Sequence, residues 1–132
     1  MKSILLTGAC LAGAVAAMAN VSCDDALCGT NEVRRISSPS SALDVVVSVV
    51  DCGATTDYVT RVSVGSHGAP LARTADIVRL DSNHGDVGLG LQNEIPVDVT
   101  WQSDHEVTLS YPPKTRSSGF YSDVNGVRIE RR

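Results

Sequence analysis

Residues 51–57, with the sequence D-C-G-A-T-T-D, hold the densest set of reactive groups in the chain: a thiol, two hydroxyls and two carboxylates. A cysteine thiolate beside a base, or a hydroxyl beside a carboxylate, could act as a nucleophile. The same residue types also satisfy loop backbone groups in Asx and Ser/Thr turns, and the run matches no catalytic motif. We therefore interpret it as a binding loop. Its candidate contact residues are Asp51, Gly53, Thr55, Thr56 and Tyr58.

A second polar loop, residues 81–86, has the sequence D-S-N-H-G-D and offers carboxylate and imidazole groups. Its candidate metal ligands are Asp81, His84 and Asp86. The loop lacks the acidic ladder ending in a bidentate glutamate that calcium loops use, and the histidines of the chain fall in three different loops without zinc spacing. We expect solvated loop residues here, with no metal and no other cofactor.

The binding loop lies between two strands around which the chain is organised. Residues 43–50 are nearly all apolar and β-branched, which predicts a strand buried on both faces. Residues 58–64 alternate between the two faces of a second strand. A loop on a rigid strand pair loses little entropy when it binds a partner, which favours binding as its use.

Further strands follow from alternation and turn chemistry. Residues 31–36 predict a short edge strand, and residues 75–80 predict another strand. Residues 97–111 predict a hairpin turning at Ser103-Asp104, and Asn125-Gly126 predicts a second hairpin turn. Two prolines, followed by an exposed loop over residues 114–118, separate these hairpins.

No stretch after the first nineteen residues has a helical apolar period. We therefore predict an all-β fold of seven or eight antiparallel strands in a meander, forming a small sandwich or an open barrel.

The first nineteen residues are typical of an export signal. Lys2 supplies a positive start, residues 4–17 form an uncharged apolar run, and Ala17-Met18-Ala19 is a small-x-small cleavage site. The predicted organisation is a signal peptide at 1–19 and a single β domain at 20–132. The protein is then exported, to the periplasm or the outer envelope, and no segment has the roughly 20 apolar residues of a transmembrane helix.

Three cysteines remain after loss of Cys10 with the signal, and export places them in an oxidising compartment. The candidate pairs are Cys28–Cys52, Cys23–Cys52 and Cys23–Cys28. We favour Cys28–Cys52, because it ties the N-terminal segment to the binding loop, whereas Cys23–Cys28 closes only a small ring. Cys23 is then free, paired between chains, or the lipidated first residue of a lipoprotein, although Asn20 stands where lipidation sites carry a leucine-like residue.

Charge and composition exclude one class of partner. Loss of Lys2 with the signal moves the formal net charge from −4 to −5, and the chain has five aromatic residues. An acidic protein with so few stacking side chains is not expected to bind nucleic acid.

Several runs resemble a family of small bacterial envelope proteins, many of them lipid-anchored, that is described only as a domain of unknown function. The similar runs are C-G-T-N-E at residues 28–32, S-P at 38–39 leading to D-C-G-A-T-T at 51–56, Trp101 with Leu109 and Tyr111, and G-V-R-I at 126–129. The resemblance implies a secreted or lipid-anchored β domain and supports a link between Cys28 and Cys52. It implies no activity.

The sequence therefore predicts a non-enzymatic binding or interaction module that presents residues 51–58. Its partner would be another envelope protein, a cell-wall component such as peptidoglycan, or a foreign enzyme to be inhibited. The alternative is a hydrolytic or metal-dependent enzyme that works through residues 81–86. Its oligomeric state and ligand do not follow from the sequence.

Overall fold

The computed structural model describes residues 28–53 and 56–132. The predicted signal peptide at 1–19, the predicted domain start at residue 20, Cys23 and Thr55 lie outside the described residues. Within residues 28–53 and 56–132 the chain forms nine strands and one 3₁₀ turn, Leu71–Arg73. The strands are β1 (Gly29–Ser37), β2 (Leu43–Asp51), β3 (Val59–Ser66), β4 (Ala75–Asp81), β5 (Asp98–Ser103), β6 (Glu106–Ser110), β7 (Arg116–Ser118), β8 (Asp123–Val124) and β9 (Val127–Arg131).

The strands form two open sheets, which we call sheet A and sheet B. Sheet A has the order β1-β2-β3-β4-β7, and sheet B has the order β5-β6-β9-β8. Side chains from both sheets, such as Val45, Val62 and Ile77 from A and Val107 and Ile129 from B, join in one buried apolar cluster. The predicted all-β fold is confirmed as a sandwich, and the part of the chain that is described contains no α-helix.

The central strand pair is confirmed. Residues 44–50 of β2 are all buried, which agrees with the prediction that this strand is covered on both faces. β2 pairs with β3 in antiparallel register from Leu43–Ser66 to Val50–Val59. β1 lies at the edge of sheet A, as predicted, and pairs with β2 through a register shift between Glu32 and Arg34.

The C-terminal third departs from a meander. The loop predicted at residues 114–118 includes β7, which crosses to sheet A and pairs with β4 through Asp81–Arg116. The chain then returns to sheet B, where β9 lies parallel to β6. Because β6 ends at two prolines and β7 joins the other sheet, β9 approaches β6 after a crossover instead of a tight turn.

Side chains close one side of the sandwich, between β1 and the start of sheet B. The indole Nε1 of Trp101 donates a hydrogen bond to the Ile36 carbonyl, 2.8 Å away. The Arg34 guanidinium donates to the Val97 carbonyl. These two bonds link the edge strand of one sheet to the edge region of the other. Among the described residues no helix is long and apolar enough to cross a membrane.

Candidate functional site

The antiparallel register of sheet A gathers several strand termini at one end, which we call the disulfide end. The start of β1 meets the end of β2 at Gly29–Asp51, and the end of β4 meets the start of β7 at Asp81–Arg116. The start of β3 lies beside the end of β4, where Thr60 pairs with Leu80. Both polar loops singled out in the sequence therefore leave sheet A at the same end.

Cys28 and Cys52 form a disulfide immediately beyond the Gly29–Asp51 pair, with their Cα atoms 4.3 Å apart. The predicted pairing is confirmed. Because Cys52 is in the bridge, its thiol is not available as a nucleophile. The bridge instead fixes Cys52, the second residue of the binding loop, to the start of the edge strand.

The binding loop uses its polar groups to hold its own backbone. An Asp51 carboxylate oxygen accepts a hydrogen bond from the Gly53 N–H at 3.0 Å. The Thr56 N–H and hydroxyl both donate to the Gly53 carbonyl, at 3.2 and 3.1 Å. Gly53 has a φ of 120°, which favours glycine. These are turn contacts, and they leave Asp51, Gly53 and Thr56 exposed and Tyr58 half-buried at the surface.

The second polar loop is held by Arg116. Its Nε lies 3.0 Å from both Asp81 carboxylate oxygens, and its Nη2 lies 2.8 Å from one of them. Burial alone would raise the pKa of Asp81, but hydrogen bonds from Arg116 and from the Asn83 N–H, with the charge of Arg116, lower it. The carboxylate is therefore ionised and occupied by a guanidinium.

That arrangement decides how the candidate metal ligands are used. His84 faces the same guanidinium, with its Nε2 3.5 Å from Arg116 Nη1, and Asp86 is exposed on the loop. Over residues 28–53 and 56–132, no three His, Cys, Asp or Glu side chains form a group that could hold a metal ion.

Arg116 also connects the two loops electrostatically. Its pKa is raised by the hydrogen bond to Asp81 and the charge of that carboxylate, and further by the charge of Asp57 in the binding loop. Those candidate binding and metal residues that the structure describes thus lie at the same end of sheet A. No sequence pattern indicated this link, because Arg116 and Asp81 are 35 positions apart and Arg116 lies within the exposed polar loop predicted at residues 114–118.

The most extensive polar cluster lies at the opposite end of sheet A, around Asp44. This carboxylate is 1% exposed and accepts hydrogen bonds from the Ser37 hydroxyl, the Arg35 guanidinium and the Gly68 N–H at 2.7, 3.0 and 2.9 Å. His67 Nδ1 lies 2.9 Å from it. Burial would raise the pKa of Asp44, but the hydrogen bonds, that from Gly68 foremost, hold it well below its usual range.

Ser37, His67 and Asp44 do not form a nucleophilic triad. A triad needs the serine hydroxyl on one imidazole nitrogen and the aspartate on the other. Here the hydroxyl donates to Asp44, and both Ser37 and Asp44 lie on the Nδ1 side of His67, at 3.4 and 2.9 Å. The cluster joins the β1–β2 turn to the loop after β3. Its one sequence signal was a lone aspartate at the start of a run of valines.

A cavity of about 320 Å³ opens on sheet B, near the β5–β6 turn. Its lining is polar and carries both signs of charge: Ser103, His105, Glu106, Asp123, Gly126 and Arg128. That turn lies at the Asp44 end of the molecule, since Asp104 accepts a hydrogen bond from the Ser40 N–H. The lining of the cavity therefore includes no residue of the two polar loops. The three histidines are also apart: His67 lies beside Asp44, His84 beside Arg116, and His105 in the cavity lining.

Comparison with protein-family models, curated proteins and solved structures finds no match to this chain.

Proposed function

We propose that the chain is an exported envelope protein whose disulfide end binds a partner without catalysing a reaction on it. The observation that carries the proposal is the convergence of the two polar loops. The disulfide fixes Cys52 of the binding loop to Cys28 at the start of β1, and Arg116 holds Asp81 of the second loop to β7 while its charge interacts with Asp57. A surface already ordered in this way would bind with a small loss of conformational entropy.

The rival use of residues 81–86 in catalysis has less support. A carboxylate acting as a general base or metal ligand must offer a free oxygen. Both oxygens of Asp81 contact Arg116, and His84 faces the same cation. The geometry is that of a loop held by an ion pair.

The partner classes are an envelope protein or a cell-wall component. Thr55→Ala and Thr56→Ala, combined, remove the hydroxyls of the binding loop, and Thr100→Ala removes an exposed hydroxyl from sheet B as a matched control. We expect wild type and the control, immobilised, to retain the same component of an envelope extract, and the double variant to lose it. Equal recovery by all three proteins, with unchanged melting temperatures, would contradict binding through this loop.

Export and processing belong to the same proposal and have a direct test. The intact mass of the protein recovered from the envelope fraction reports the cleavage site, any lipid on Cys23 and the number of oxidised thiols. Cleavage after Ala19 leaves a chain beginning at Asn20, whereas lipoprotein processing leaves one beginning at a lipidated Cys23. A full-length mass in the cytoplasmic fraction would overturn the location.

A further inference from the structure

A third loop at the disulfide end carries the most exposed leucine of the described chain. Leu91 is fully exposed, and Leu89 is partly exposed. Residues 88–94 follow the second polar loop directly and lead into Ile95, whose N–H donates a 2.7 Å hydrogen bond to the Thr60 hydroxyl at the start of β3. The sequence pattern, diluted by glycine, did not mark this segment as significant.

Hydrogen bonds fix the turn that holds Leu91. The Gly90 N–H donates to the Glu94 carbonyl at 2.8 Å, and the Asn93 N–H donates to the Gly90 carbonyl at 3.0 Å. The Gln92 N–H donates to the Glu94 carboxylate at 2.8 Å, and Asn93 has a left-handed φ of 67°. These bonds close residues 90–94 into a tight turn that has a left-handed residue, Asn93, near its end.

Both ends of the loop are buried in the core. Val87 and Ile95 are 6% and 0% exposed and belong to the apolar cluster of the sandwich. Single exposed leucines are common on protein surfaces and need no explanation by themselves. A leucine on a turn closed by three hydrogen bonds and held at both ends is different, because it can enter a pocket with little further loss of entropy.

The charges at the disulfide end distinguish between partners. Six carboxylates lie on the loops and strand ends there, against four cations, one of which, Arg116, is paired with Asp81. The carboxylates are those of Asp51, Asp57, Asp81, Asp86, Glu94 and Asp98, and the cations are Lys114, Arg116, Arg131 and Arg132. An acidic rim is repelled by an anionic lipid surface and attracted by cationic side chains.

We propose that Leu91 inserts into an apolar pocket with a basic rim on a partner protein. This inference rests on the proposed function and names the class of partner and the central contact. The acidic rim supplies attraction at long range, and the buried leucine supplies most of the affinity, as a few central residues do in other interfaces.

The test begins with a photoreactive amino acid at Gln92, next to Leu91, in the full-length protein produced in the exporting cell. The crosslinked protein is then purified and titrated with three proteins: wild type, Leu91→Ala, and Tyr121→Ala as a control that removes an exposed apolar side chain elsewhere. We expect Leu91→Ala to bind at least tenfold more weakly without a change in melting temperature, and Tyr121→Ala to bind within about twofold of wild type. The wild-type affinity should fall as salt is raised from low to physiological concentration.

Vesicles of phosphatidylethanolamine and phosphatidylglycerol form the second arm. Leu91-dependent binding to these vesicles would overturn the choice of a protein partner. Equal affinity of wild type and Leu91→Ala, or the absence of any crosslink at residue 92, would overturn the role of Leu91. If the Thr55/Thr56 variant still loses the envelope component in that case, the proposed function stands and only this inference fails.

Discussion

Cys28 and Cys52 are bonded at directly opposed positions just past the last pair of the β1–β2 ladder, with their Cα atoms 4.3 Å apart. The bridge closes a loop with a sequence separation of 24, which should stabilise the fold by about 3 kcal/mol through the entropy of the unfolded chain. We expect Cys52→Ser, in a Cys23→Ser background, to lower the free energy of unfolding by that amount in urea titrations.

The companion measurement is thiol labelling. Cys28 should react in the Cys52→Ser variant and remain blocked in the Cys23→Ser parent. The variant that lacks both Cys28 and Cys52 should have the same melting temperature as the Cys52→Ser variant. An unchanged melting temperature together with an unreactive Cys28 would refute the pairing.

Asp44 should make the protein sensitive to acid. Its pKa is lowered in the folded state, so the unfolded chain takes up this proton first as the pH falls. Its contribution is therefore complete above the ordinary carboxyl pKa of about 4, and is lost progressively as the pH drops towards the lower pKa of the folded state. We expect Asp44→Asn to cost about 2–4 kcal/mol at pH 7, because it leaves Arg35 and the Gly68 N–H without a charged acceptor.

The measurement is the free energy of unfolding at pH 7 and pH 3. The loss between the two should be smaller in Asp44→Asn than in wild type, but not zero, since Asp76 and Asp81 also have lowered pKa values. Asp98→Asn, which changes an exposed carboxyl on β5, is the control and should follow wild type. An identical loss in wild type and Asp44→Asn would rule out this role for Asp44.

Local patterns predicted the sheet elements that bury an apolar side. Val45, Val47 and Val49 alternate with residues that are also buried, and Val107 and Leu109 face the core from a half-polar strand. The spacing of the cysteines after the predicted export signal similarly favoured the Cys28–Cys52 bridge. The strand patterns are local in sequence, and the disulfide had to be chosen from only three candidate pairs.

The elements that were missed depend on distant partners. β7 has the sequence R-S-S, is exposed throughout and has no apolar alternation. It is a strand because it pairs with β4, where Arg116 meets Asp81. The Asp44 cluster likewise draws on β1, β2 and the loop after β3. The binding loop could therefore be predicted as a candidate, whereas its connection to residues 81–86 could not.

Ser41 offers a stabilising substitution at the β1–β2 turn. It has a left-handed φ of 64° and is exposed, and its N–H closes the turn on the Ser38 carbonyl at 2.8 Å. Glycine removes the cost of this conformation, about 1 kcal/mol for other residues, but loses more entropy on folding. We expect Ser41→Gly to raise the free energy of unfolding by about 0.5 kcal/mol, and Ser41→Ala to give no gain. A loss in Ser41→Gly, measured by urea titration, would contradict the assignment of strain.

Thr60 should control how firmly the Leu91 loop is held. Its side chain is buried, and its hydroxyl accepts the Ile95 N–H at 2.7 Å. Thr60→Val leaves that buried N–H without a partner, which costs about 1–3 kcal/mol. Thr60→Ser keeps the acceptor and loses only a methyl group, so it should cost less and keep the Ile95 amide protected from hydrogen exchange.

The two variants separate packing from loop order. If the bond holds the loop, the Ile95 amide exchanges faster in Thr60→Val than in Thr60→Ser. Partner binding should then weaken in Thr60→Val although Leu91 is intact, because the loop must be ordered at the moment of binding. Equal exchange and equal affinity in the two variants would mean that packing of Val87 and Ile95 alone fixes the loop, and that the Thr60 hydroxyl has no part in presenting Leu91.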